Sequence, residues 1–127
     1  MKLRIKGASL RLRLTQKEVR ALAEGGQLEE RVPFAAQAEL IYRLRRDAQA
    51  AQLQASFERN VIEIRIPQAL ASGWCASEQV TLAHTQRVPQ GELQITLEKD
   101  FACLVPRAGE DESDSFPHPA GGTGKSC

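Results

Sequence analysis

Basic side chains alternate with apolar ones at the start of the chain. Period-two alternation is typical of a half-buried strand, so the basic set should project from a single face. Gly7 suits the tight turn of a hairpin between two such strands. The basic face could bind an anionic group through charge-assisted hydrogen bonds, and Arg65 could join it if the sheet curls. These candidate ligand-binding residues are Lys2, Arg4, Lys6, Arg11, Arg13 and Arg65.

The same pattern has a structural explanation that requires no ligand. Lysine and arginine on an exposed strand prevent edge-to-edge aggregation, and a solvated basic face needs no further role. Both interpretations stay open at the level of sequence. Like charges on adjacent strands repel, and a bound anion or acidic partner would relieve that repulsion.

A second group of candidate residues lies near the C-terminus. Carboxylates, an imidazole and a thiolate are ligands for zinc or iron. The spacing follows no calcium-loop pattern, and a solvated acidic segment, or one that pairs with the basic hairpin, explains the composition equally well. The candidate metal ligands are Cys103, Asp111, Asp114 and His118.

Nucleophilic catalysis would require a base beside a cysteine. The chain has only two histidines, His84 and His118. Apolar residues flank Cys103, which favours a buried structural thiol. The sequence GGTGKS near the end resembles a phosphate-binding loop, but such a loop must follow a strand and open a helix. We expect no catalytic site from either pattern, and the cofactor remains unknown.

The elements that would position these residues follow from periodicity. Two alternating strands are followed by a helix near 16–24, because Thr15 and Glu18 form a capping-box pair and Gly25-Gly26 can end it. Further strands are expected near 28–34, 39–45, 53–58, 61–66, 80–85 and 93–97. Pro67 favours a short helix near 67–72, stopped by Gly73. The fold class is α+β, a mainly antiparallel sheet or open barrel of seven to eight strands. No internal repeat is evident.

Composition sets the remaining limits. The 127 residues carry a net charge of +1, which favours neither nucleic acid nor an anionic membrane. Residues 1–20 hold seven basic side chains and one acidic one, whereas residues 106–127 hold two basic and four acidic ones. We predict a globular domain over 1–105 and an acidic, Pro/Gly-rich tail over 106–127 that is disordered at its end. Three sparse cysteines and no signal-peptide pattern predict a reduced, cytoplasmic protein.

Motifs at both ends resemble a family of small, uncharacterised bacterial proteins. The first is MKLRIKG followed by SLRLRLT, over residues 1–15. The second is EKDFACL, with Pro106-Arg107, the acidic run from Gly109 to Asp114 and Phe116-Pro117-His118-Pro119 after it. The resemblance covers most of the chain and implies a domain of unknown function, with no catalytic residues to carry over.

The charged strands also resemble those of triphosphate-tunnel enzymes, which line a barrel with basic and acidic residues and use a divalent metal. Those enzymes begin with alternating glutamates, whereas this chain begins with lysines and arginines. Glu63 and Glu98 are the only well-placed strand carboxylates. We therefore expect a non-catalytic binding domain for an anionic small molecule or acidic protein segment. The alternatives are a metal-dependent phosphohydrolase and an interaction module that uses the acidic tail.

Overall fold

A computed structural model describes residues 1–100, which form eight strands and two helices. The strands are β1 (Lys2–Ile5), β2 (Ser9–Leu14), β3 (Leu28–Ala35), β4 (Ala38–Asp47), β5 (Gln54–Glu58), β6 (Val61–Pro67), β7 (Thr81–Val88) and β8 (Gly91–Lys99). The helices are α1 (Gln16–Ala23) and α2 (Gln68–Ala76). The α+β class is therefore confirmed, and each expected strand is present with slightly different ends.

The first helix begins where the sequence predicts. Thr15 accepts a hydrogen bond from the backbone N–H of Glu18 at 3.3 Å, and the Glu18 carboxylate accepts one from the N–H of Thr15 at 2.8 Å. This reciprocal pair satisfies two of the donors that a helix leaves open at its N-terminus. At the other end, Gly25 adopts a φ of 88°, a conformation that glycine adopts without steric cost.

The strands form two separate four-stranded sheets. Sheet A has the order β1-β2-β8-β7, and sheet B has the order β3-β4-β6-β5. All four sequential hairpins are antiparallel, as expected, but β2 pairs with β8 and β4 pairs with β6 in parallel. The expectation of an antiparallel sheet is therefore only partly right, and the sheets do not close into a barrel. Each parallel pair joins strands of two different hairpins, and each helix carries the chain from one sheet to the other.

This arrangement is an internal two-fold repeat of a hairpin, a helix and a second hairpin. The first unit runs from β1 to β4 and the second from β5 to β8. Exchanging the units converts the strand order of sheet A into that of sheet B. No repeat is evident from the sequence pattern, but the strand order shows one. The repeat lies in topology and strand register, while most of the residues at equivalent positions differ.

The second helix is longer than predicted. It spans nine residues, one more than α1, and Gly73 lies within it instead of ending it. The helix carries Ala71 and Trp74, whose side chains are fully buried in the core. Burying a tryptophan contributes more than the roughly 1 kcal/mol that an interior glycine costs, so tertiary packing extends the helix beyond its local stop signal.

A single apolar cluster joins both sheets and both helices. Leucine and isoleucine side chains of β2, β4, β6 and β8 meet Leu22 of α1 and Trp74 of α2 in this cluster. Since successive strand residues point to opposite faces, the charged residues between these apolar positions lie on the outer face of each sheet. The candidate sites are therefore positioned on the outer faces.

Candidate functional site

The basic residues of the first hairpin meet on the outer face of sheet A. The antiparallel register of β1 and β2 places Lys2 opposite Arg13 and Arg4 opposite Arg11. Leu12 and Leu14, which alternate with these arginines, are buried in the core. The hairpin thus places four of the predicted basic residues together. Lys6 lies beyond the end of β1, in the exposed turn that leads to β2.

Two carboxylates that belong to the C-terminal end of the described chain complete this face. Glu98 of β8 accepts a hydrogen bond from Arg13 Nε at 2.6 Å and lies 4.0 Å from Arg11 Nη1. Asp100 lies 3.2 Å from the ammonium group of Lys2. In the structure, the basic face therefore consists of four basic residues and two carboxylates: Lys2, Arg4, Arg11, Arg13, Glu98 and Asp100. All of its members except Lys2 take part in further polar or electrostatic interactions.

Arg13 and Glu98 are unusually buried for residues on an outer face. Their exposed fractions are 9% and 7%, and they are the most deeply buried charged residues of the described chain. A buried carboxylate–guanidinium pair is stable only with good geometry, since both groups lose their hydration. Arg13 therefore has a structural role beside any role in binding.

Arg65 does not join the basic face, contrary to the expectation that a curled sheet would bring it there. It lies on the outer face of sheet B, where its guanidinium is 4.0 Å from both Asp47 and Glu63. The sheets share a core through their inner faces, so their outer faces point away from each other. Arg65 and the first hairpin consequently cannot bind one small ligand together.

The outer face of sheet B is a network of alternating charges. Arg43 binds Glu29 at 2.8 Å and Glu63 at 3.2 Å, and Arg45 binds Glu63 at 3.2 Å. Burial opposes ionisation of Glu63, but hydrogen bonds from Arg45 and Arg43 outweigh it and lower the pKa of this carboxyl group below its ordinary value. Arg31, which binds Glu29 and Glu39, belongs to the same face, so four arginines face four carboxylates. This face is electrically balanced, unlike the basic face.

The arrangement offers little for the predicted metal chemistry. Glu63 and Glu98 lie on different sheets and each is bound by arginine. Within residues 1–100 no group of three or more potential protein ligands could hold a metal ion. Cys103, Asp111, Asp114 and His118 lie outside the described residues, so that part of the prediction stays a prediction.

A cavity of about 530 Å³ opens between the first turn of α1 and the end of α2. Its wall includes Val19, Arg20, Cys75 and Lys99. Burial raises the pKa of the Cys75 thiol, so this cysteine is not an activated nucleophile. The ammonium group of Lys99 donates to the carbonyls of Trp74 and Ser77 at 2.9 and 2.6 Å.

The two-fold equivalent of this cavity is occupied by Arg46. Its guanidinium donates to the carbonyls of Leu22 and Ala23 at the end of α1, and it reaches across to the Ser72 hydroxyl of α2 at 2.7 Å. Lysine cannot make such a forked bridge. Arg46 thus bridges α1 and α2, whereas Lys99 binds carbonyls at the end of α2 and lines the cavity.

Sequence reasoning identified the basic side of the site and missed how its acidic partners are placed. Glu98 was recognised only as an isolated strand carboxylate, and Asp100 was not recognised. A signal was available in the repeat itself. Gln-x-Glu-Leu occurs at 37–40 and again at 90–93, and Leu-x-x-Asp occurs at 44–47 and 97–100. Aligning these segments equates β4 with β8 and places Glu98 and Asp100 on one outer face.

The family model of a family of unknown function, DUF7009, matches residues 1–120. The chain belongs to this family, which agrees with the resemblance of its two ends. No curated protein and no solved structure is significantly similar to the chain. Among the described residues, neither helix has the length and apolar character that a transmembrane span requires.

Proposed function

We propose that the protein is a non-catalytic binding domain whose basic face takes the carboxylate or phosphate oxygens of an acidic ligand. The observation that carries this proposal is the difference in charge between two equivalent surfaces. Within residues 1–100, the basic face carries four cationic side chains against two carboxylates, whereas the outer face of sheet B is balanced. The excess positive charge lies on paired strands held by a hydrophobic core.

The two-fold repeat makes this comparison specific. In the second unit, β5 takes the place of β1, and Gln54 and Ser56 stand where the first unit has Lys2 and Arg4. Glu63 likewise stands where the first unit has Arg11. The positive charge is therefore a property of one unit and is not required by the fold. Arginine also suits the role chemically, because its planar donors bind carboxylate and phosphate oxygens in pairs.

The experiment measures the affinity of the full chain for inorganic tripolyphosphate and for a hexaglutamate peptide by isothermal titration calorimetry at low salt. The variant Arg4→Gln/Arg11→Gln should bind either probe at least about tenfold more weakly, since two charge-assisted contacts are lost. Arg13 is left intact because of its buried pair with Glu98.

A matched control removes two positive charges elsewhere. The control variant Lys17→Gln/Arg59→Gln changes exposed residues of α1 and of the β5–β6 turn. It should keep the wild-type affinity apart from a small change in long-range attraction. Equal loss of affinity in both variants would show that bulk charge alone attracts the probes, and the basic face would then not be a site.

A further inference from the structure

The acidic run Glu110–Asp114 supplies four carboxylates in five residues of the same chain. We infer that this segment, here called the acidic segment, is the intramolecular ligand of the basic face and competes there with external anions. This inference rests on the proposed function, because it names a ligand for the same site. Its support comes from where the described chain ends, from charge and from burial.

The end of the described chain lies on the basic face itself. Asp100 directly follows β8, the strand that pairs with β2, and its carboxylate lies 3.2 Å from Lys2. Nine residues separate Asp100 from Glu110, and an extended chain of that length spans about 30 Å. Two strand spacings, which separate β8 from β1, amount to only about 10 Å. The acidic segment can therefore reach every basic side chain of the face.

Charge complementarity favours this occupant. The acidic segment brings four negative charges to a surface on which the described residues include two more cations than carboxylates. A tethered segment also acts at an effective concentration in the millimolar range for a short flexible linker. Weak individual carboxylate–arginine contacts are then sufficient for binding within one molecule.

The burial of the Arg13–Glu98 pair is consistent with an occupied surface. The side chains of Arg13 and Glu98 are 10% and 9% exposed, although they project away from the core. Arg65, which takes the place of Arg13 in the second unit, is 26% exposed on the balanced face of sheet B. The face with the larger net positive charge is thus the more buried one at this position.

The experiment uses the full chain with the acidic segment neutralised by Glu110→Gln, Asp111→Asn, Glu112→Gln and Asp114→Asn. The matched control neutralises four other acids of the described chain for which no ion pair is seen, by Glu24→Gln, Glu58→Gln, Glu78→Gln and Glu92→Gln. Both variants have the same net charge. Tripolyphosphate affinity is measured by calorimetry, and backbone amide shifts of β1, β2 and β8 are measured by NMR.

We expect the segment variant to bind tripolyphosphate about tenfold more tightly than the control, because its internal competitor is removed. We also expect amide shift changes confined to the strands of the basic face, for example at Arg4, at Arg11 and at Thr96, which pairs with Arg11 on β8. An affinity equal to that of the control, together with unchanged shifts, would overturn the inference and leave the proposed function standing. Localised shifts with no tripolyphosphate binding by any chain would instead contradict the proposed external ligand and support the intramolecular contact.

Discussion

The side chain of Gln86 on β7 takes the place of a neighbouring strand for Ala55 on β5. Its amide oxygen accepts from the Ala55 N–H at 2.7 Å, and its amide nitrogen donates to the Ala55 carbonyl at 3.0 Å. These strands are the edges of two different sheets. One side chain therefore satisfies the backbone of Ala55 where the sheets approach each other without pairing.

Replacing Gln86 with leucine should lower the free energy of unfolding by about 2 kcal/mol, because both backbone groups of Ala55 lose their partners in a partly buried position. Urea unfolding measures this loss. Thr85→Val on the same strand is the control, since it removes only an exposed side-chain hydrogen bond to Gln94. Equal stability of Gln86→Leu and the control would mean that water replaces the amide without cost.

Breaking the buried Arg13–Glu98 pair should lower the free energy of unfolding more than breaking any exposed ion pair within residues 1–100. Glu98→Gln leaves the Arg13 guanidinium buried without its countercharge, which should cost about 3 kcal/mol. Glu92→Gln changes an exposed residue of the same strand and should cost less than about 0.5 kcal/mol. Chemical denaturation of both variants tests the difference. A small loss for Glu98→Gln would indicate that water reaches the pair.

The sequence was informative wherever local signals and packing agree. Alternation predicted the strands, and the Thr15–Glu18 pair predicted the start of α1, because both depend on neighbours within a few residues. The end of α2 could not be predicted, since Gly73 signals a stop and only the buried position of Trp74 extends the helix. Local propensity is a weak constraint when a large side chain is buried.

Which residues form the site could not be predicted, because the site joins residues that are distant in sequence. The pairing of β2 with β8 brings Arg13 to Glu98, which are 85 residues apart. No alternation pattern reveals which strands pair in parallel across such a distance. The same limit explains the error on Arg65: its strand has the expected alternation, but strand order assigns it to the other sheet.

Acid should weaken the charge network on sheet B through Glu63. Its pKa is lowered in the folded protein, so its contribution is present above the unfolded-state pKa and is lost as the pH falls through the folded-state pKa. At pH 6 we expect Glu63→Gln to be about 1 kcal/mol less stable than the wild type, a modest value because Arg45 is partly exposed. Urea unfolding at several pH values should show this difference shrinking below about pH 4.5. A difference that stayed constant down to pH 3 would contradict the assignment.

The contacts of Arg46 allow a graded test of how the two helices are held. Arg46→Met removes the hydrogen bonds to the end of α1 and to Ser72, and should cost about 2 kcal/mol. Arg46→Lys should cost about half as much, because a lysine can still bind the carbonyls at a helix end, as Lys99 does in the other unit. Thermal and urea unfolding of the three chains measure the series. If Arg46→Lys were as unstable as Arg46→Met, the contact of Arg46 with α2 would account for all of its contribution to the free energy of unfolding. The ammonium group of Lys99 would then not be equivalent to the part of Arg46 that binds α1.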